Sequence, residues 1–118
     1  MANGSESDET VPKQQVRLLA GREILFDAEG FFSDFHDWSE ELFEILAQES
    51  GLACLTDKHW RVVRFLREFY AQNGRSPLNH QLRKGTDLSA LELQHLFPEG
   101  IKLGARRLAG LPNPKTCS

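Results

Sequence analysis

The segment from Thr56 to Gly74 sets the tightest limit on how this chain can fold. Thr56 can cap a helix, Asp57 suits its positive end, and Gly74 can close it after roughly four to five turns. Arg61, Arg64 and Glu68 share one face, while Trp60, Val62, Val63, Phe65, Leu66, Phe69 and Tyr70 cover most of the remaining circumference. A helix with that pattern is buried on several sides, so the other elements must pack around it.

Those elements are short. Val16 to Leu19 and Glu23 to Phe26 flank Ala20-Gly21, a break that can supply the positive φ of a tight hairpin turn, and Asp27-Ala28-Glu29-Gly30 reads as a second turn. Two strands alone are marginal, so the hairpin must lay its apolar side on helices, with Phe31, Phe32 and Phe35 extending the contact. Asp37 and Glu40 have capping-box spacing, which predicts a helix from about Trp38 to Glu49 that stops at Gly51. Ser76-Pro77 marks a helix start and Gly85 its end, and Ser89 with Glu92 forms another capping box before Leu96-Phe97-Pro98. Ile101, Gly104 and Leu108 share a face of a last helix, where Gly104 permits a close approach and Gly110, Pro112 and Pro114 end it.

The expected architecture is therefore mainly α with a small N-terminal β-hairpin on a small helical bundle with two ragged ends. Residues 1–14 carry almost no apolar side chains and are expected to form a disordered leader, residues 15–109 the folded domain, and residues 110–118 a flexible C-terminal arm. A chain of 118 residues with 40% apolar and 26% charged residues fits one soluble domain. Its net charge of −3 argues against non-specific coating of nucleic acid. No apolar run is long enough to span a bilayer, the acidic start is unlike a signal peptide, and two cysteines are too few for a disulfide scaffold. A reducing cytoplasm suits such a chain.

The arm carries Cys117 next to the C-terminus. Pro112 and Pro114 favour extended backbone, and at about 3.3–3.6 Å per residue the seven residues after Gly110 could carry the thiol roughly 23–25 Å from the body. Lys115 favours the thiolate modestly and the terminal carboxylate opposes it, so no strong activation is expected in the free protein. Lys102, Arg106 and Arg107, on the last helix beside the arm's root, could orient the docking of an anionic partner surface.

Several motifs, taken in order, carry a resemblance. They are Gly21-Arg22-Glu23-Ile24 followed by Asp27-Ala28-Glu29-Gly30; Trp38-Ser39-Glu40; His59-Trp60 with Phe65-Leu66-Arg67-Glu68-Phe69-Tyr70; Leu96-Phe97-Pro98; and Ala109-Gly110-Leu111-Pro112 with Pro114 and Cys117. From Ala20 onward the chain resembles the DsrC/TusE family, whose members act in dissimilatory sulfur metabolism (DsrC) or in the sulfur relay that thiolates tRNA (TusE). The resemblance implies a hairpin on an orthogonal helical bundle with a flexible arm. It also implies that Cys117 is a persulfide acceptor and donor, a carrier rather than a conventional enzyme, with no bound cofactor. The implied partners are a sulfur-donor complex of the TusBCD or DsrEFH type, and an acceptor such as an MnmA-like tRNA 2-thiouridylase or a sulfite reductase. DsrC proper has a second cysteine eleven positions earlier, which falls here on Arg106, so the single thiol matches TusE-like members. This chain departs from the family pattern at Ser118, in a shortened stretch from Leu78 to His95, and at Gly100-Ile101-Lys102-Leu103.

Other residues have plainer readings. Cys54, among Leu52, Ala53 and Leu55, is expected to be a small buried hydrophobe. His59, in the first turn of the central helix, is expected to make a structural hydrogen bond. His36, His80 and His95 lack any recognised metal spacing, and no metal is expected. Arg61, Arg64, Arg67, Arg75, Arg83 and Lys84 could form a basic surface, and the short helices after Gly74 invite comparison with a helix-turn-helix regulator. A solvated face or an acidic protein partner accounts for them more simply, and direct nucleic-acid binding is not expected.

Overall fold

The structure, a computed structural model, describes residues 14–52 and 54–113. Residues 1–13 of the leader, and Pro114, Lys115 and Cys117 of the arm, lie outside the described residues.

Strands β1 (Gln15–Leu19) and β2 (Arg22–Phe26) pair antiparallel with Leu19 opposite Arg22. Ala20 and Gly21 both take positive φ, 52° and 77°, as a two-residue turn matched to strand twist requires. One side of the hairpin buries Leu19, Ile24 and Phe26 and leaves Val16 and Leu18 on the solvent side. Arg17 grips Glu49 through two hydrogen bonds of 3.0 and 2.7 Å, tying the hairpin to the first helix. The chain then turns on Asp27, whose Oδ1 accepts from the Glu29 and Phe31 amides, and Phe32 packs edge-on against Phe26.

Helix α1 (Glu40–Glu49) buries Leu42, Phe43, Leu46 and Ala47. Its cap is Ser39, whose Oγ accepts from the Leu42 amide, so the start predicted from Asp37 and Glu40 is displaced. Asp37 instead ends a 3-10 turn, Phe35–Asp37, that Asp34 caps by accepting from the His36 amide. Two overlapping acidic N-terminal signals lie within a few residues, and the pattern alone does not apportion them.

Helix α2 (Asp57–Asn73) starts after Thr56 and ends at Gly74, which adopts φ 71°. Val62, Val63 and Leu66 are fully buried at its centre, and Arg61, Arg64 and Glu68 face solvent, as its pattern predicts. Helix α3 (Asn79–Thr86) follows Leu78, not Ser76-Pro77, and continues through Gly85 to stop at Asp87, whose φ is 60°. Gly85 lies inside α3 because Phe65 of α2 occupies the space a Cβ would fill. The glycine that reads as a helix end is a contact between two helices.

Helix α4 (Ala90–Leu96) carries the predicted Ser89–Glu92 capping box. The terminal helix is wound as a π-helix over Ile101–Arg106, continues through Leu108, and packs on α2, with Gly104, Ala105 and Leu108 buried. A Cβ on Gly104 would lie 3.2 Å from the Cβ of Phe97, so the predicted close approach is present. The result is a mostly helical bundle with one antiparallel hairpin on its side, and no described helix is long and apolar enough to cross a membrane.

Candidate functional site: the root of the C-terminal arm

A helix ends with four carbonyls that lack partners within it. In the terminal helix each of the four finds a specific donor. Gly110, at φ 81°, lets its amide reach the Arg107 carbonyl at 3.1 Å while the Leu111 amide reaches Arg106 at 3.2 Å, the two bonds of a Schellman cap. The indole Nε1 of Trp38 donates to the Leu108 carbonyl at 2.9 Å. Arg67 donates to the Ala109 carbonyl at 2.9 Å and to the Phe35 carbonyl at 3.0 Å.

Arg67 reaches that position between two rings. Its guanidinium carbon lies 3.9 Å from the Phe35 centroid and 4.3 Å from that of Trp38, close enough for cation–π attraction to both. Burial lowers its pKa to about 10, which still leaves a cation at neutral pH. Arg67 is therefore not part of the basic surface expected from sequence. It sits four residues after Val63 and one after Leu66, on the core side of α2, and its charge is matched there by carbonyls and rings.

Gly110 and Leu111 belong to the body. Both are buried, so the arm does not begin at residue 110. Trp38 covers Gly110 so closely that a Cβ would lie 2.5 Å from the indole Cδ1. Pro112 and Asn113 are half-buried, and the Asn113 amide nitrogen donates to Asp27 Oδ2 and Glu29 Oε1, each at 3.0 Å. From Asn113, the four residues to Cys117 span at most about 13–14 Å, not the 23–25 Å counted from Gly110.

The three bases predicted to cluster here are spread apart. Lys102 is exposed, 3.9 Å from Glu29 and so on the arm's side. Arg106 is half-buried and donates to the Pro77 carbonyl at 2.7 Å, with desolvation lowering its pKa. Arg107 donates to Leu103, Ser50 and Glu99. Only Lys102 keeps an outward charge beside Asn113, because the other two satisfy carbonyls and side chains of the body.

Cys54 is exposed, against the expectation of burial. The apolar neighbours in its sequence belong to a loop between α1 and α2, where chain direction rather than composition decides which side chain points inward. His59 is buried and structural: the Thr56 amide donates to Nδ1 at 3.0 Å, so Nε2 carries the proton and donates to the Leu96 carbonyl at 3.0 Å. Among the described residues, no group of three His, Cys, Asp or Glu could hold a metal. An open groove of about 460 Å³ runs along Asp57, Trp60, Arg61, Arg64 and Glu68, with none of the arm's anchors in its lining.

Trp38, Arg67 and Asn113 are the site residues that sequence reasoning missed. Trp38 stood within a family motif without a role, and Arg67 was assigned to a basic surface. Nothing local marks Asn113, whose partners lie more than eighty positions earlier in the chain.

A bundle that devotes two side chains, Trp38 and Arg67, to the last carbonyls of its terminal helix holds the chain in a fixed place up to Asn113. Comparison with known proteins identifies its family. The family model described as DsrC like protein matches residues 18–118, and the chain belongs to that family. It is 41% identical over 104 residues to the sulfurtransferase TusE of Pectobacterium atrosepticum, covering 82% of this chain and 94% of that one. It is 34% identical over 97 residues to the gamma subunit of dissimilatory-type sulfite reductase from Nitratidesulfovibrio vulgaris, covering 82% and 92%. Its fold is similar to the crystal structure of the oxidized gamma-subunit (DsrC) from Archaeoglobus fulgidus, with TM-score 0.78, 31% identity, and coverage of 88% of this chain and 100% of that one.

Proposed function

We propose that this chain is a cytoplasmic sulfur carrier that holds a persulfide on Cys117 and passes the outer sulfur to an acceptor, as in the relay for tRNA 2-thiouridine synthesis. The observation that carries this reading is the family match through residue 118, which takes in the cysteine-bearing tail together with the body. The geometry next to the arm supports it, since every carbonyl at the end of the terminal helix is held.

The chemistry needs no cofactor. The Cys117 thiolate attacks the outer sulfur of a donor persulfide, the donor's S–S bond breaks, and the donor leaves as a thiolate while Cys117 gains the S–S bond. The second transfer repeats this with Cys117 as the donor, and no external oxidant or reductant enters. The donor would be a TusBCD- or DsrEFH-like complex and the acceptor an MnmA-like 2-thiouridylase.

A DsrC-like role beside a sulfite reductase is the second reading, favoured by the gamma-subunit relative. Arg106 counts against a cycle that uses two thiols of one arm, because a disulfide or trisulfide requires a second sulfur at that position. The DNA-regulator reading loses ground because Arg67 points inward and Arg61 donates to the Thr86 carbonyl.

The test is mass spectrometry of the intact chain after incubation with a persulfidated donor protein. One added sulfur atom is expected, abolished by Cys117→Ala and kept by Cys54→Ser. No gain on the unaltered chain, or a gain that survives Cys117→Ala, would overturn the reading.

A further inference from the structure

We propose that Asn113 is a positioning residue, a latch that fixes where the cysteine-bearing tail leaves the body by binding the carboxylates of Asp27 and Glu29. This deepens the carrier reading and rests on it for its effect on sulfur transfer.

The latch is built from elements at opposite ends of the chain. Asp27 is oriented by its own turn: Oδ1 is occupied by the Glu29 and Phe31 amides, which leaves Oδ2 facing the tail. Glu29 offers Oε1 to the same Asn113 nitrogen, and Lys102 approaches that oxygen from the terminal helix at 3.9 Å. One primary amide has two hydrogens, and both are directed at acceptors that carry charge, the stronger kind of hydrogen bond. Pro112 and Pro114 flank Asn113 and limit the backbone on either side, so the side chain is the part that anchors this stretch.

The consequence is a change in tether length. With the latch closed, four residues separate Asn113, the last anchor among the described residues, from Cys117; with it open, that anchor is buried Leu111 and the tether has six. Effective concentration falls roughly as the −3/2 power of tether length, which makes the thiol about twofold more dilute at a docked partner's site.

The experiment is backbone ¹⁵N relaxation on the full chain, read at residue 113, whose neighbours on both sides are prolines without amides. In the unaltered protein the order parameter of that amide should lie near the rigid value of about 0.85; in Asn113→Ala it should fall below about 0.6. Glu29→Ala, which removes one acceptor at an exposed position, should fall between them. The melting temperature should stay within about 1 °C in both variants, and kcat with a persulfidated donor should fall about twofold in Asn113→Ala with KM unchanged, because the thiol is diluted only within the docked complex.

An order parameter already low in the unaltered chain, or unchanged in both variants, would overturn the latch. So would a melting temperature that drops along with it, since Asn113 would then support the fold rather than the tail. Failure of Cys117 to accept sulfur in the unaltered chain would sink the carrier reading instead, and the order parameters would still decide the latch.

Discussion

The indole nitrogen of Trp38 and the carbonyl oxygen of Leu108 stand 2.9 Å apart across seventy residues of sequence. Trp38 precedes α1, and Leu108 lies in the last turn before the arm, so this bond joins the entry of the bundle to its exit. The guanidinium carbon of Arg67 lies 4.3 Å from the centroid of the same ring, within reach of cation–π attraction, and the ring covers Gly110. One side chain thus orients the carbonyl, the cation and the glycine that together end the terminal helix.

Replacing Trp38 with Phe keeps most of the apolar contact and removes the donor. The Leu108 carbonyl is then left unpaired in a part-buried setting, which costs about 1–3 kcal/mol. For a domain of this size each 1 kcal/mol lowers the melting temperature by roughly 4–8 °C. Calorimetry should show a loss in that range, and an unchanged melting temperature would mean water replaces the indole freely.

Gly110→Ala should be worse. The left-handed φ of 81° strains any residue with a Cβ, and the added carbon would meet Trp38 at 2.5 Å. Strain and displacement of the indole act together, so a destabilisation of about 2–4 kcal/mol is expected from urea unfolding. Gly51 shares the positive φ but has open space where a Cβ would go, which makes Gly51→Ala the control, with a cost of about 1 kcal/mol.

Arg67→Lys tests whether the guanidinium geometry matters or only the charge. A lysine ammonium cannot lie flat between two rings and reach two carbonyls in different directions, so either the Ala109 or the Phe35 carbonyl loses its donor. The expected cost is about 1–3 kcal/mol by urea unfolding. Full stability in the lysine variant would show that a point charge suffices.

Much of this fold is legible in the sequence because its local signals are strong. Ala20-Gly21, Thr56 with Gly74, and Ser89 with Glu92 each specify a turn or a helix end through short-range chemistry, and the structure keeps all three. Gly85 shows where local reading stops, since the need for glycine comes from Phe65, twenty residues away on another helix. Arg67 and Cys54 fail in opposite directions for one reason. Composition assigns the arginine outward and the cysteine inward, while the route of the backbone delivers the arginine to a socket of carbonyls and rings and leaves the cysteine in an exposed loop. At the site, family motifs point to the arm, but its true root depends on the contact of Asn113 with Asp27 and Glu29, which no local pattern encodes.

His59 gives the fold a pH dependence of predictable sign. Desolvation lowers its pKa below the unperturbed 6.5, and the hydrogen bond to the Leu96 carbonyl opposes that only in part. In the unfolded chain the imidazole takes up a proton near 6.5, whereas the folded chain resists until lower pH, so the unfolded state binds more protons in between. Stability is therefore complete above about pH 6.5 and declines as pH falls from there through the folded pKa. The lowered carboxylates, Glu49 and Glu92, start from 4.5 and Asp34 from 3.8, so their contributions are lost in a separate, more acidic window. Urea midpoints measured from pH 7.5 to 5 should fall for the unaltered chain. In His59→Asn the protein should be weaker throughout but flatter across that range, because the buried imidazole that takes up a proton on unfolding is gone. An equal slope in both proteins would place the proton uptake elsewhere and remove His59 from the account.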